Sequence, residues 1–209
     1  MRHQLGTHLR PSEVITEVLP SLAVGSLTGP TNAGEVARGL PAAMVLAATA
    51  PTAAVEEVQS AISGPTLRVY TSSDLAGVEF GGCLKNIYAI AAGIAAGLGL
   101  GDNAIAALVT RALSEMTRLG MAAGGRFETF QGLSGVGDLI VTCYSKHSRN
   151  NRVGRLLGEG RTLTEVTASM NMVAEGIPNT ESIYAAARRY DIRTPIIDQM
   201  YAILYHGTP

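Results

Sequence analysis

A chain of 209 residues can bury one or two cores, and 46% hydrophobic against 16% charged residues exclude disorder as its main state. The net charge of −1, with basic and acidic residues interspersed over most of the length, excludes an extended nucleic-acid footprint. The two cysteines, Cys83 and Cys143, form neither a disulfide framework nor a metal spacing, so both are expected to be reduced.

The opening Met1-Arg2-His3-Gln4-Leu5-Gly6 lacks the apolar run of a signal peptide, so a cytoplasmic protein is expected. Up to about Thr71 helix and strand then alternate. Pro11 to Leu19 reads as a short helix with proline in its first turn, and Leu22 to Leu27 as a strand. Thr31 to Arg38 is a helical turn or two, and Ala42 to Ala48 an apolar run of strand length. Thr52 to Ile62 is amphipathic and ends at Gly64-Pro65, and Leu67 to Thr71 is β-branched and aromatic. Strands separated by helical segments predict a parallel α/β sheet.

From Ser73 the strand pattern stops. Ser73-Asp74 offers an N-cap to a long helix, and the run from Ile87 to Gly101 is too short and too glycine-rich for a membrane span, so it predicts a buried helix. Helical spacing continues over Asn103 to Leu119, Arg149 to Leu157, Thr164 to Met170, Asn179 to Tyr190 and Ile196 to Tyr205. Thr162-Leu163-Thr164-Glu165 and Asn179-Thr180-Glu181-Ser182 both resemble helix N-termini. The expected boundary lies near residue 72, with an α/β segment over 1–72 and an all-helical domain over 73–209. Gly99-Leu100-Gly101-Asp102-Asn103-Ala104 matches G-x-G-x-x-A but leaves a helix rather than a strand, so it predicts a helix-to-helix turn instead of a dinucleotide loop.

Lys85, in Gly81-Gly82-Cys83-Leu84-Lys85-Asn86, is one of two lysines against fourteen arginines, and it stands at the edge of the apolar run. Alone it would read as a snorkelling side chain, its stem on apolar surface and its head in water. A second cluster changes that reading. Asp138 lies in Gly135-Val136-Gly137-Asp138-Leu139, and Ser148-Arg149-Asn150 lies in a locally basic stretch from Lys146 to Arg161. A lysine that can give up a proton, a carboxylate, and an arginine flanked by hydroxyl and amide groups suit a small phosphorylated, hydroxylated substrate.

In order, Thr28-Gly29-Pro30-Thr31, Gly81-Gly82-Cys83-Leu84-Lys85-Asn86, Ala107-Leu108-Val109-Thr110-Arg111, Gly135-Val136-Gly137-Asp138-Leu139, Ser148-Arg149-Asn150 and Val173-Ala174-Glu175-Gly176 resemble the bacterial NAD(P)-dependent glycerol-3-phosphate dehydrogenase family, from about Gly6 to Pro209. The resemblance implies an α/β remnant of a Rossmann domain followed by an all-α substrate-binding and dimerisation domain, with NAD or NADP as cofactor. It implies hydride transfer between the nicotinamide and dihydroxyacetone phosphate or glycerol 3-phosphate, with a homodimer left open. Residue by residue, it places Lys85 as the proton donor and acceptor. Gly29, Thr31, Asp138, Ser148, Arg149 and Asn150 fall on substrate-binding positions, and Ala33, Arg149, Val173 and Glu175 on cofactor-contacting ones.

The chain departs from the family in having no strand followed by a G-x-G-x-x-G turn, and Met1-Arg2-His3 stands where a second active-site lysine is expected. A truncated chain with impaired activity is therefore expected. The alternatives are a non-catalytic remnant serving as a binding or dimerisation module, and a related hydroxyacid dehydrogenase acting on a carboxylate.

Overall fold

The computed structural model describes residues 9–170 and 172–208. The opening Met1-Arg2-His3, Gly6 and the closing Pro209, which bound the resemblance, lie outside the described residues. The first part of the chain runs α1 (Pro11–Val18), β1 (Gly25–Thr28), α2 (Ala33–Val36), β2 (Ala42–Ala48), α3 (Thr52–Ile62) and β3 (Leu67–Ser72). Proline in its first turn starts α1, where no backbone N–H is needed, and the Asn32 side chain caps α2 by accepting from Gly34 and Glu35.

The three strands lie in the order β1-β2-β3, but the sheet is mixed. β2 and β3 are parallel, whereas β1 runs antiparallel to β2, with Gly25 opposite Ala48 and Thr28 opposite Val45. The expectation of a parallel sheet is corrected here. A parallel return needs a crossover segment that packs on the sheet. The link through α3 qualifies, because Val55 packs with Leu46 and Val69. The four residues of α2 bury nothing, so that link only turns the chain round.

After β3 the described chain is helical: α4 (Leu75–Gly97), α5 (Gly101–Ala122), α6 (Phe127–Phe130), a π-helical turn (Leu133–Gly137), α7 (Asp138–Tyr144), α8 (Arg149–Gly158), α9 (Leu163–Ala168), α10 (Gly176–Arg189) and α11 (Pro195–His206). Asp74 caps α4 as the sequence suggests, and Thr162 with Glu165 forms a capping box on α9. α4 is apolar on nearly every face and is the axis of the main core, which includes Leu84, Ile87, Ile90, Met116, Phe130 and Ile183. Gly99 and Gly101, both at positive φ, make the α4–α5 turn.

One expectation on helix limits is revised. α10 begins at Gly176, not Asn179, because Pro178 falls at its third residue, where a missing N–H costs nothing. The short helical pieces between Phe127 and Tyr144 are too brief to carry a periodic signal. Both cysteines are buried and free, and burial pushes the Cys143 thiol up to about 12, so it behaves as an apolar side chain. Among the described residues no helix is long and apolar enough to cross a membrane.

Candidate functional site

Lys85 lies within the unbroken α4, on the one flank of that stretch that is not sealed in the core; its side chain is 20% exposed and pairs with the Asp138 carboxylate. The two residues are 53 positions apart, and a glycine brings them together. A Cβ added at Gly81 would lie 2.3 Å from the Ser134 carbonyl oxygen, so only glycine lets the π-helical turn settle on α4 one helical turn before Lys85. That turn delivers Asp138 as the first residue of α7. π turns recur at functional sites because they re-aim side chains within a helix.

The Asp138 carboxylate has three partners. Besides the Lys85 ammonium it accepts from the Gly29 backbone N–H, and the Thr142 hydroxyl lies 3.4 Å from Oδ1 while donating to the Asp138 carbonyl at 2.6 Å. Burial pushes the carboxyl up from its ordinary value, and the Lys85 charge and these hydrogen bonds pull against that rise. The carboxylate therefore anchors the lysine, and through Gly29 it also ties the end of β1 to the helical domain.

The second wall is built at the start of α8. Ser148 caps this helix by accepting from the Asn151 N–H at 3.2 Å. Arg149 Nη1 donates to the Val173 carbonyl at 3.1 Å. Asn150 is buried and spans three elements: Nδ2 donates to Asn86 Oδ1 at 2.8 Å, and Oδ1 accepts from the Gly176 N–H at 2.9 Å. Gly176 has no room for a side chain, because a Cβ there would meet the Asn86 carbonyl at 2.6 Å and Asn150 Oδ1 at 2.8 Å. The order of α4, α8 and α10 around the site is thus held by one amide chain.

Between these walls lies a cleft of about 530 Å³. Thr31, Ala33, Lys85, Asp138, Ser148, Arg149 and Asn150 all line it. Gly29 reaches the site only through its backbone N–H. Val173 meets Arg149 through its carbonyl but lines a separate hollow with Met170 and Ile177, and Glu175, at the N-cap position of α10 without a side-chain capping bond, is not in the cleft lining. The structure adds Asn86, Thr142, Ser145 and His147 to the lining. Asn86 adjoins Lys85, and Thr142 follows Asp138 by one helical turn, so both were within reach of a pattern argument. Of the five basic residues from Lys146 to Arg161 only Arg149 lines the cleft. Arg155 bonds Asn151 on its own helix, and Lys146, Arg152 and Arg161 are exposed surface.

A dinucleotide needs a seat for its pyrophosphate, normally free amides at a glycine-rich strand-to-helix turn. The described strand-to-helix junctions do not offer one. The start of α4 is filled by the Asp74 carboxylate and the start of α2 by the Asn32 side chain, while Thr49-Ala50-Pro51-Thr52, which leads into α3, has no glycine to let a pyrophosphate approach the backbone. The described residues thus line a cleft of a size for a small polar molecule and, among themselves, supply no glycine-rich pyrophosphate seat.

Residues 74–209 match a family profile described as NAD-dependent glycerol-3-phosphate dehydrogenase C-terminus, and residues 3–54 match the corresponding N-terminus profile. A glycerol-3-phosphate dehydrogenase [NAD(P)+] of Carboxydothermus hydrogenoformans is 51% identical over 98% of this chain and 61% of its own length. One from Desulfitobacterium hafniense is 50% identical over 97% of this chain and 57% of its own length. The crystal structure of glycerol-3-phosphate dehydrogenase from Coxiella burnetii superposes with a TM-score of 0.91 at 41% identity, covering 94% of this chain and 60% of that one. The chain thus spans about three fifths of the length of these relatives. On the match over 74–209 and the agreement of fold, the chain belongs to the NAD-dependent glycerol-3-phosphate dehydrogenase family.

Proposed function

We propose that this chain carries the substrate-binding and proton-transfer part of a cytoplasmic glycerol-3-phosphate dehydrogenase. Residues 73–209 would form the substrate and dimerisation domain, and residues 1–72 the end of the nucleotide-binding domain. The observation that carries this reading is the Lys85–Asp138 ion pair on the wall of a cleft that Arg149 also lines.

A reduced nicotinamide, when bound, supplies the hydride. The chain's own residues do the rest. The Lys85 ammonium, aimed by Asp138, gives a proton to the carbonyl oxygen of dihydroxyacetone phosphate, so the product leaves as the hydroxyl of glycerol 3-phosphate. In the reverse direction the neutral amine takes that proton back. Arg149, with Ser148 and Asn150, holds the phosphate end and fixes the distance of the carbonyl from Lys85. Thr31 and the Gly29 loop close the cleft from the sheet side. In this reading Ala33 would meet the cofactor's near end from the cleft wall, and Val173 and Glu175 would meet it from outside the cleft lining.

The test compares two proteins: the 209-residue chain, and the same chain joined behind the nucleotide-binding segment of the Carboxydothermus hydrogenoformans relative. The chain by itself is expected to bind glycerol 3-phosphate but to oxidise neither NADH nor NADPH, because its described residues offer no pyrophosphate seat. The joined protein is expected to reduce dihydroxyacetone phosphate. In it, Lys85→Ala lowers kcat by about a hundred- to ten-thousandfold, the usual cost of a lost general acid, while Arg149→Ala mainly raises KM. Full turnover in the Lys85 variant would refute the proton-transfer role. A joined protein that binds neither ligand would favour the non-catalytic reading.

A further inference from the structure

His147 also lines the cleft, and among the described residues its ring has no hydrogen-bond or ionic partner. Its backbone is held in place: the Ser145 hydroxyl accepts from the His147 N–H at 3.2 Å, and the next residue, Ser148, caps α8. A solvent-exposed imidazole with no protein partner among the described residues thus stands one residue before the cap of a ten-residue helix whose first side chain is Arg149. The first-turn amides of such a helix also lack intrahelical acceptors.

We propose that His147 is a specificity-determining residue of this cleft, which donates from its ring to a phosphate oxygen of the substrate; the proposal rests on the functional reading above. The reason is geometric. A guanidinium fork satisfies two coplanar oxygens. A carboxylate offers no more than two, with about four acceptor sites, which the Arg149 fork, the Ser148 hydroxyl and the second Asn150 amide hydrogen already meet. A phosphate monoester has three terminal oxygens in a tetrahedral array, and the third lies outside the plane of the fork. His147, on the same wall as Arg149, supplies the donor for that oxygen. The cleft would then select a phosphorylated three-carbon substrate over the corresponding hydroxy acid.

The test uses the 209-residue chain with isotopically labelled histidine and arginine, the His147 ring signals being assigned with a His147→Gln variant. Glycerol 3-phosphate, inorganic phosphate, glycerol and glycerate are titrated in turn. The His147 ring signals are expected to move with glycerol 3-phosphate and inorganic phosphate and to stay still with glycerol. His147→Gln is expected to weaken glycerol 3-phosphate binding about tenfold, the loss of one hydrogen bond to a charged group, and to leave glycerate binding within about twofold. If the Arg149 side-chain signals respond and those of His147 do not, the proposal fails and the functional reading stands. An equal loss of affinity for glycerate and glycerol 3-phosphate also overturns it. If neither residue responds to any phosphate, both the proposal and the functional reading fall.

Discussion

Lys85 and Asp138 are worth more as a pair than either is alone, and this has a measurable consequence. Asp138 is buried, and burial already pushes its carboxyl up, against the pull of Lys85. Replacing Lys85 by Met removes the strongest opposing charge and leaves a desolvated carboxylate. For a fully enclosed pair that costs about 3–5 kcal/mol. Here one face of the lysine is open to the cleft, so about 2 kcal/mol is expected at neutral pH. A carboxyl whose folded pKa lies above its unfolded value contributes stability that is fully present below the unfolded pKa. That contribution is lost as pH rises through the folded value. Removing Lys85 lifts the folded value further, so the deficit of Lys85→Met should be largest near neutrality and shrink as pH falls toward the ordinary aspartate range. Adding Asp138→Asn should recover most of it. Urea denaturation of the single and double variants across pH checks this, and a deficit that does not vary with pH would contradict it.

At the scale of elements, two features hold the helical domain together: backbone contact between helices and buried carboxylates at helix ends. α4 and α8 cross through Gly93 and Gly97 on one helix and Gly154 and Gly158 on the other, each pair spaced by four residues, so the two backbones touch. A Cβ at Gly154 would fall 2.0 Å from the Ile90 carbonyl oxygen. Gly154→Ala should therefore destabilise the protein by about 3 kcal/mol, the upper range for overpacking, although alanine is the better helix former. Gly64→Ala, in open space, should change stability by less than about 0.5 kcal/mol. Comparable urea midpoints for the two variants would refute the close crossing. The carboxylates act differently. Glu79 accepts from the Ser12 N–H and hydroxyl and docks α1 on α4. Asp74 caps α4 and also takes the Arg126 N–H and the Thr129 hydroxyl. Glu115, on α5, accepts from the first amides of α11 at Ile196 and Ile197, and burial pushes its carboxyl up.

For the molecule as a whole, the apolar interior is unevenly shared. The helical core is continuous around α4, whereas the sheet rests on two small clusters, Leu46 with Val55 and Val69, and Ala47 with Leu75 and Val78. β1 and β3 are both edge strands of the described sheet, and Tyr70 on β3 is half exposed. Regions with few buried contacts and unpaired edges open at lower free energy than a central helix. Amide hydrogen exchange should therefore show the sheet opening sub-globally while the amides from Leu84 to Ala92 exchange only through global unfolding. Equal protection in both regions would mean that the sheet and the helical block form one cooperative unit.

Much of this protein was legible in its sequence. The mean spacing of apolar residues placed β2, α3 and β3 within a residue of their observed limits, because a buried strand or amphipathic helix must repeat with its own geometry. Asp74 and Thr162 could be read as caps because capping chemistry is local. The rarity of lysine drew attention to Lys85, and the motifs around Asp138 and Arg149 pointed to the same cleft. Other features were decided only by tertiary structure. The antiparallel sense of β1 depends on whether α2 packs on the sheet, which its four residues do not reveal. The π turn depends on the steric gap at Gly81, 53 residues before Ser134, and the Asn86–Asn150–Gly176 chain joins three helices far apart in sequence. Local patterns record the forces within one element, while the site's geometry comes from contacts whose partners are brought together only by packing around α4.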